Sequence, residues 1–556
     1  MTTATFRWSG SGVAPGTAVA ASWRVDRPVN VRAAPVDPDD VAQAFAAVAV
    51  DLERLAERAR AQGRRPAADI VAVGALIAGD PELVEAARQA STAADPLRAV
   101  HDAVEGYAAV LDSLPDQTLR ERAADVRQVG RRVLERIARN GAGMSASPDT
   151  RRFVLVGDEI GPADLLEHLG LGLVGAVTVR GGANSHAAIV ARSVGLPLVT
   201  GVDPRVLDLP DDTALLVDAD AGLVVADPPI GEVARAEAAS VRDGERRAVL
   251  AAERGLPHVT ADGQPFVLLC NVASDIEVRV GRDSGAVGVG LLRTELPFLE
   301  HGRWPAEADH RRALRPVLAE AAGWPVTVRL LDFANDKVPP FLRGRPTGLP
   351  ALLDNPAALT AQLRAAVDLG RGVQLRIMVP MVVGAADLRT VRAAVDEVVA
   401  ALGVPQVQVG AMVETVAAVE SVDELCRAAD FLSIGTNDLT AQVLDLDRTD
   451  PRARPELTAH PSVLELVGRV VAGAGRAGRP VTVCGDAGAH PTTLPLLLGA
   501  GVRGVSVACA RIDETRYRLR RLDTTACAGV FADALALRDA DETAALVRER
   551  IGEVVP

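Results

Sequence analysis

Lysine is nearly missing from this chain of 556 residues. Of its 60 Lys and Arg residues one is a lysine, Lys337, and all the others are arginines. That imbalance looks like coding bias, and it leaves Lys337 isolated as a position where an ammonium was kept. Cysteine is sparse too. Cys270, Cys426, Cys484, Cys509 and Cys527 are odd in number, far apart and without CxxC spacing. That scatter excludes a disulfide framework and a cysteine zinc site, and it fits reduced thiols in a cytoplasmic protein. No apolar run approaches the ~20 residues of a membrane span. The N-terminal Met1-Thr-Thr-Ala-Thr-Phe-Arg-Trp8 has no basic stretch followed by an apolar one, so neither a secretory signal nor membrane insertion is expected. A net charge of −13 argues against a protein that coats nucleic acid or an anionic membrane.

What remains is ordinary globular composition, 48% hydrophobic and 24% charged, in a chain long enough for roughly three to four domains. From about Asp39 to Asn140 apolar residues recur at three- and four-residue spacing, broken at Gly63, Asp80-Pro81, Asp95-Pro96 and Pro115-Asp116. This predicts antiparallel helices. From Arg152 to Pro228 short β-branched runs (Phe153–Val156, Gly175–Val179, Ala214–Val217) alternate with helices. They predict an α/β domain that recruits the N-terminal segment, with Gly10–Gly16 as a turn. A helix polar nearly all round follows at Gly231–Arg247, the pattern of a domain bridge.

The last 300 residues hold eight apolar strand-like runs, at 266–271, 286–292, 326–331, 375–379, 407–413, 431–434, 481–484 and 502–507, with helices between them. Eight such strands predict a (β/α)8 TIM-type barrel. The expected boundaries are 1–30 and 145–228 for the α/β domain, 31–144 for a helical domain inserted in it, 229–255 for the linker helix and 256–556 for the barrel.

Barrel chemistry sits at the C-terminal ends of strands, and five of the predicted ends carry reactive residues. They are Arg293-Thr-Glu295, Arg329 with Asp332 to Lys337, Glu414, Gly435-Thr-Asn-Asp438, and Cys484-Gly-Asp486. Taken singly, Asn437-Asp438 reads equally as a helix cap, Glu414 as a surface acid and Cys484 as a small buried residue. Their convergence points to a phosphorylated acid: arginines and a lysine for phosphate oxygens, Glu414 and Asp438 for Mg²⁺, and Cys484 for proton transfer. A second constellation, Gly181-Gly-Ala-Asn-Ser-His186-Ala-Ala-Ile-Val-Ala-Arg192, follows a strand and opens a helix. A phosphoryl group on His186 would meet free backbone N–H groups and the positive helix end, although a histidine there also serves as a plain cap.

These motifs, with Gly288–Glu295, Val413-Glu-Thr415, Phe431–Thr440, Asp447-Arg448 and Leu119–Arg127, resemble enzyme I of the bacterial sugar phosphotransferase system, the phosphoenolpyruvate–protein phosphotransferase. The resemblance covers nearly the whole chain. It implies a phosphohistidine α/β domain carrying His186, a helical domain that docks the carrier HPr, a phosphoenolpyruvate-binding barrel, a homodimer through the barrel, and a swivel between domains. By the same resemblance Arg293 and Arg329 hold the phosphoryl group with Lys337 nearby, and Arg448 and the Asn437 region orient the carboxylate. Glu414 and Asp438 bind Mg²⁺, and Cys484 protonates the enolate of pyruvate. Departures stand at Gly344–Leu353, where a phosphate-binding arginine is replaced and Arg345 is the nearest substitute, at Ala334-Asn335, in the helix of Ile70–Ile77, and at Leu165, where the family has a threonine supporting the histidine. They leave an alternative, a catalytically weakened paralogue acting as a phosphoenolpyruvate-binding or regulatory protein.

Overall fold

Proline and aspartate set the helix starts of the first unit of the chain. The computed structural model describes residues 6–25, 36–62, 64–92, 95–112, 117–139, 152–182, 185–334, 337–446, 454–552 and 554–555. Two compact units divide it, Met1–Arg246 and Arg247–Pro556. In the first, five helices run α1 (Pro38–Ala61), α2 (Arg65–Ala78), α3 (Pro81–Ala90), α4 (Pro96–Asp112) and α5 (Gln117–Arg139). Asp37 caps α1 by accepting from the Asp39 amide, and Asp80 caps α3 by accepting from those of Glu82 and Leu83. In both helices proline takes the first position, where no N–H is needed. The expected breaks at Gly63 and Pro115-Asp116 lie outside the described residues. Val41, Phe45, Val48 and Leu52 of α1 are buried, as are Val126, Val129 and Val133 of α5. Each set lies at the three- and four-residue spacing of one helix face.

The α/β part of this unit is one eight-stranded sheet. Its strands are β1 (Phe6–Ser9), β2 (Ser11–Ala14), β3 (Thr17–Arg24), β4 (Phe153–Gly157), β5 (Leu173–Thr178), β6 (Leu198–Thr200), β7 (Ala214–Asp218) and β8 (Leu223–Ala226), in the order β1-β8-β7-β3-β4-β5-β6-β2. Val154, Val156, Val177, Val199, Leu215, Val217 and Val224 form its core. The Gly10–Gly16 segment is not a turn alone, because it contains β2, paired antiparallel with β6. Its glycines serve close approach: a Cβ at Gly12 would lie 1.6 Å from the Ala219 carbonyl oxygen. Sequence does not distinguish that use of glycine from chain reversal.

Helix α6 (Pro162–Leu169) joins the sheet to α5 through charge. Arg131 and Arg132 both pair with Asp164, Arg132 at 2.9 Å, and the Gly161 amide donates to the same carboxylate at 3.0 Å. Burial opposes the charge on Asp164, yet the two guanidinium groups hold its pKa well below the usual carboxylate range. Removing one partner of such a pair costs about 3–5 kcal/mol. Helix α7 (His186–Val194) lies between β5 and β6 in sequence, and α8 (Ile230–Ala252) carries the chain into the second unit. Among the described residues no helix is long and apolar enough to cross a membrane.

The second unit is a closed barrel of eight parallel strands: β9 (Val267–Val272), β10 (Val289–Leu292), β11 (Pro325–Arg329), β12 (Gln374–Val379), β13 (Gln408–Val413), β14 (Leu432–Ile434), β15 (Val481–Val483) and β16 (Gly504–Ala508). The register of β16 on β9, Gly504 opposite Val267, closes the ring. Ile377, Val379, Val413 and Val483 belong to the large core cluster. Leu291, Met378, Met412, Phe431 and Cys484 form a separate small one. Alternation along the strands assigns the small cluster to the barrel interior.

His310, in the helix Glu307–Glu320, has no solvent exposure, and neither ring nitrogen has a hydrogen-bond partner. Its ring stands edge-on to Phe298 at 5.0 Å. Burial lowers its pKa from the ordinary 6.5 to about 4, so the folded barrel keeps this imidazole neutral where the unfolded chain takes up a proton. The stability this confers is complete above the unfolded value and declines as pH falls towards the folded one, by about 2–3 kcal/mol near pH 4.5. Urea midpoints at pH 7 and pH 4.5 should therefore differ less in His310→Leu than in wild type. Equal pH slopes would contradict the assignment.

Candidate active site

Glu295, Arg329, Asp332 and Lys337 form a buried charge cluster at the ends of two barrel strands, β10 and β11. Arg329, the last residue of β11, is 4% exposed. It donates to Glu295 Oε1 at 2.6 Å and pairs with Asp332 at 3.0 Å. Lys337 reaches the same Glu295 oxygen at 3.0 Å. Burial would lower the pKa of Arg329, but Glu295, Asp332 and Glu414 raise it. Burial would raise that of Glu295, but Arg329 and Lys337 lower it. Two oxygens of the cluster, Glu295 Oε2 and Asp332 Oδ1, are buried without a hydrogen-bond partner.

Glu414 follows β13, is 2% exposed and accepts from the Met381 amide at 2.7 Å. Burial, then the neighbouring charges of Asp332 and Asp438, push its pKa up to about 8. A Cβ on Gly435 would stand 2.6 Å from Glu414 Oε2, so the glycine keeps space beside that oxygen. A desolvated carboxylate, raised by two other acids and with room at one oxygen, suits a hard cation. Among the described residues no group of three or more His, Cys, Asp or Glu is placed to hold a metal ion. Magnesium does not need one, since it takes one or two protein carboxylates and completes its shell with water and substrate oxygens. The residues present therefore fit a divalent ion at Glu414 and Asp438.

Cys484 follows β15 inside the barrel, 5% exposed, and burial pushes its thiol up to about 11. The charges of Glu414, Arg329 and Arg293 all act on it. Arg293 itself is partly exposed just after β10, where its amide donates to the Val272 carbonyl at 2.9 Å. Asn437 and Asp438 open the helix Thr436–Val443. The Asn437 amide donates to Asp486 at 2.8 Å and accepts from the Asp486 backbone N–H at 3.1 Å. Arg448 lies outside the described residues. Arg345, the nearest substitute for the replaced arginine, is exposed.

In the first unit His186 is the first residue of α7, capped by Ser185, whose hydroxyl accepts from the Ala188 amide at 3.2 Å. Its Nδ1 lies 3.1 and 3.2 Å from the two carboxylate oxygens of Asp125 in α5. An ionised carboxylate only accepts, so in the neutral imidazole Nδ1 carries the proton and Nε2 has the free lone pair. Arg122 stands 3.4 Å from the same carboxylate. Leu165 is completely buried in α6, so the polar contact on the imidazole comes from Asp125. His186 and Asp125 line a cavity of about 550 Å³ between the helices and the sheet. Sequence reasoning assigned no role to Asp125, Glu295 or Asp332. The last two stood at strand ends already marked, whereas Asp125 has no signal beyond its place in the Leu119–Arg127 motif.

Three family models match in succession: "PEP-utilising enzyme, N-terminal" over residues 9–122, "PEP-utilising enzyme, mobile domain" over 150–222, and "PEP-utilising enzyme, PEP-binding domain" over 247–524. A phosphoenolpyruvate-protein phosphotransferase of Streptomyces coelicolor is 34% identical over 522 residues, 89% of this chain and 92% of the relative. The chain belongs to the phosphoenolpyruvate–protein phosphotransferase family. It also matches a multiphosphoryl transfer protein of Xanthomonas campestris pv. campestris, 35% identical over 470 residues, 82% of this chain and 55% of the relative. A second such protein, from Rhodobacter capsulatus, matches at 35% over 79% of this chain and 54% of the relative. The chain thus spans about half the length of these two. A solved N-terminal domain of Enzyme 1 - Nitrogen matches with 29% identity and a TM-score of 0.31, covering 41% of this chain and 97% of that one.

The tautomer of a neutral imidazole decides which nitrogen has a free lone pair. Replacing Asp125 by Asn exchanges an obligate acceptor for an amide that can donate to Nδ1. A hydrogen bond to a charged partner contributes about 1.5–3 kcal/mol, enough for a more than tenfold tautomer preference. Nitrogen NMR of His186 should show Nδ1–H in wild type and a shift towards Nε2–H in Asp125→Asn. An unchanged tautomer would remove Asp125 from this role.

Proposed function

We propose that the protein transfers the phosphoryl group of phosphoenolpyruvate to Nε2 of its own His186 and then to the histidine of the carrier HPr, releasing pyruvate. This is the first step of the sugar phosphotransferase system. The observation that carries the reading is the imidazole of His186, oriented by Asp125 at a helix N-terminus, in a chain whose barrel mouth has Arg293 and Arg329 near Cys484 and Lys337 paired with Glu295. The family membership supports it, and the comparisons lend nothing to the alternative of a regulatory paralogue.

In this mechanism Arg293, Arg329 and Lys337 hold the phosphoryl oxygens, while Asn437 and Arg448 orient the carboxylate. The Nε2 lone pair attacks phosphorus in line. The N–P bond forms as the P–O bond to the enol oxygen breaks, and the electron pair stays on the enolate. Cys484, kept protonated by burial, gives its proton to the enolate carbon, yielding pyruvate, and recovers one from solvent. Mg²⁺ at Glu414 and Asp438, when bound, neutralises charge on phosphate and enolate oxygens. Positioning and electrostatics account for most of the rate in such transfers. Donor and acceptor residues belong to separate units, so His186 must visit the barrel mouth and leave it, with α8 as the connection. HPr docks on the helices α1 to α5, where Leu76 and Val50 leave apolar surface exposed. The protein works as a cytoplasmic homodimer through its barrel.

Incubation with phosphoenolpyruvate and Mg²⁺ should release pyruvate and place acid-labile phosphate on the protein, with the label absent in His186→Ala. Lys337→Arg should slow phosphorylation at least tenfold with its melting temperature preserved, because a planar guanidinium does not replace a compact ammonium beside Glu295. A folded wild-type chain without label would overturn the proposal.

A further inference from the structure

The helix Pro356–Leu369 turns Leu359, Leu363, Ala366 and Gln362 to the barrel wall, all of them buried. Gln362 is the polar member of that face and has no solvent exposure. Leucine or methionine would fill such a place by apolar burial alone, so the amide calls for a reason. Its Nε2 donates to the Thr294 hydroxyl oxygen at 2.9 Å and to the Arg329 carbonyl oxygen at 3.4 Å. Its Oε1 accepts from the Leu331 amide at 3.0 Å. The Thr294 hydroxyl in turn donates to the Arg329 carbonyl at 2.8 Å. One side chain thus ties the end of β10 to the end of β11. Thr294 stands between Arg293 and Glu295, and Leu331 between Arg329 and Asp332.

We propose that Gln362 is a positioning residue, one that fixes the backbone from which the phosphoryl-binding arginines project. It does not touch the substrate. With an apolar residue in its place, the Leu331 amide would be buried without a partner, and of the hydrogen bonds made to the Arg329 carbonyl by Gln362 and Thr294 only that of the Thr294 hydroxyl would remain beside the Glu295 ion pairs. Cations displaced by about 1 Å from a transferring group can lose about a hundredfold in rate. The proposal rests on the function proposed above and deepens it by adding a residue to the same site.

The test compares Gln362→Met, similar in length but without polar atoms, with Gln362→Glu, which keeps the acceptor for Leu331 and loses both donors. Two half-reactions are followed in the full chain. One is pyruvate release from phosphoenolpyruvate with Mg²⁺; the other is phosphorylation of His186 from phosphorylated HPr, which uses only the first unit. In Gln362→Met the kcat for pyruvate release should fall about 10- to 100-fold, with KM for phosphoenolpyruvate changed less than about threefold. Gln362→Glu should recover part of that loss, and phosphorylation from HPr should equal wild type in both. Undiminished kcat in a folded variant overturns the proposal, as does an equal decline of both half-reactions. Should Gln362→Met not fold, Gln362→Glu decides by the same two measurements. Absence of pyruvate release by the wild-type chain would overturn the proposed function, whereas an active wild type matched by its variants overturns the positioning role alone.

Discussion

Two cations share one carboxylate oxygen at the mouth of the barrel, and the ends of β10 and β11 are built around that sharing. Burying an ion has a desolvation cost of several kcal/mol, recovered only where partners are close and well aimed. Arg329 and Lys337 meet that condition through Glu295, and Arg329 meets it again through Asp332. The arrangement is not fully satisfied, since an oxygen on each acid stays without a partner. Further acids follow at Glu414 and Asp438. At this mouth cations and acids are kept in place by one another.

The first unit uses a carboxylate differently. Asp125 occupies one nitrogen of the His186 imidazole and leaves the other without it as a partner. Asp164, on the neighbouring helix, is held below the usual carboxylate range by two arginines and fastens the helices to the sheet. Three carboxylates, Asp125, Asp164 and Glu414, have distinct duties that follow from what surrounds them. One faces an imidazole, one faces guanidinium groups, and one faces other acids.

Much of the architecture was legible because it rests on local pattern. Eight apolar runs predict eight parallel strands, and the barrel rule then marks their C-terminal ends for inspection. The Gly-Gly-x-x-Ser-His motif likewise shows itself, since loop, cap and histidine are contiguous. Asp125 was not legible in this way. It is 61 residues from His186, and only the packing of α5 against the sheet domain brings the two together. Gln362 reads in sequence as an ordinary polar residue of a helix, and its duty exists only because that turn faces the barrel wall. The elevated pKa of Glu414 comes from burial, which no residue pattern states. The strand β2 between the glycines before β3 was not legible, because glycine looks the same whether it reverses a chain or admits another backbone.

The arginine bias also has a chemical consequence. Apart from the α-amino group, a chain with one lysine has one primary amine, and here it is the amine bound to Glu295. Lysine-directed acylating reagents, which elsewhere scatter over a protein surface, have a single side-chain target in this molecule, and it lies in the candidate site. The extent of modification then becomes a direct count of how often that ammonium leaves its carboxylate, and any ligand that holds it should slow the labelling in proportion to its occupancy.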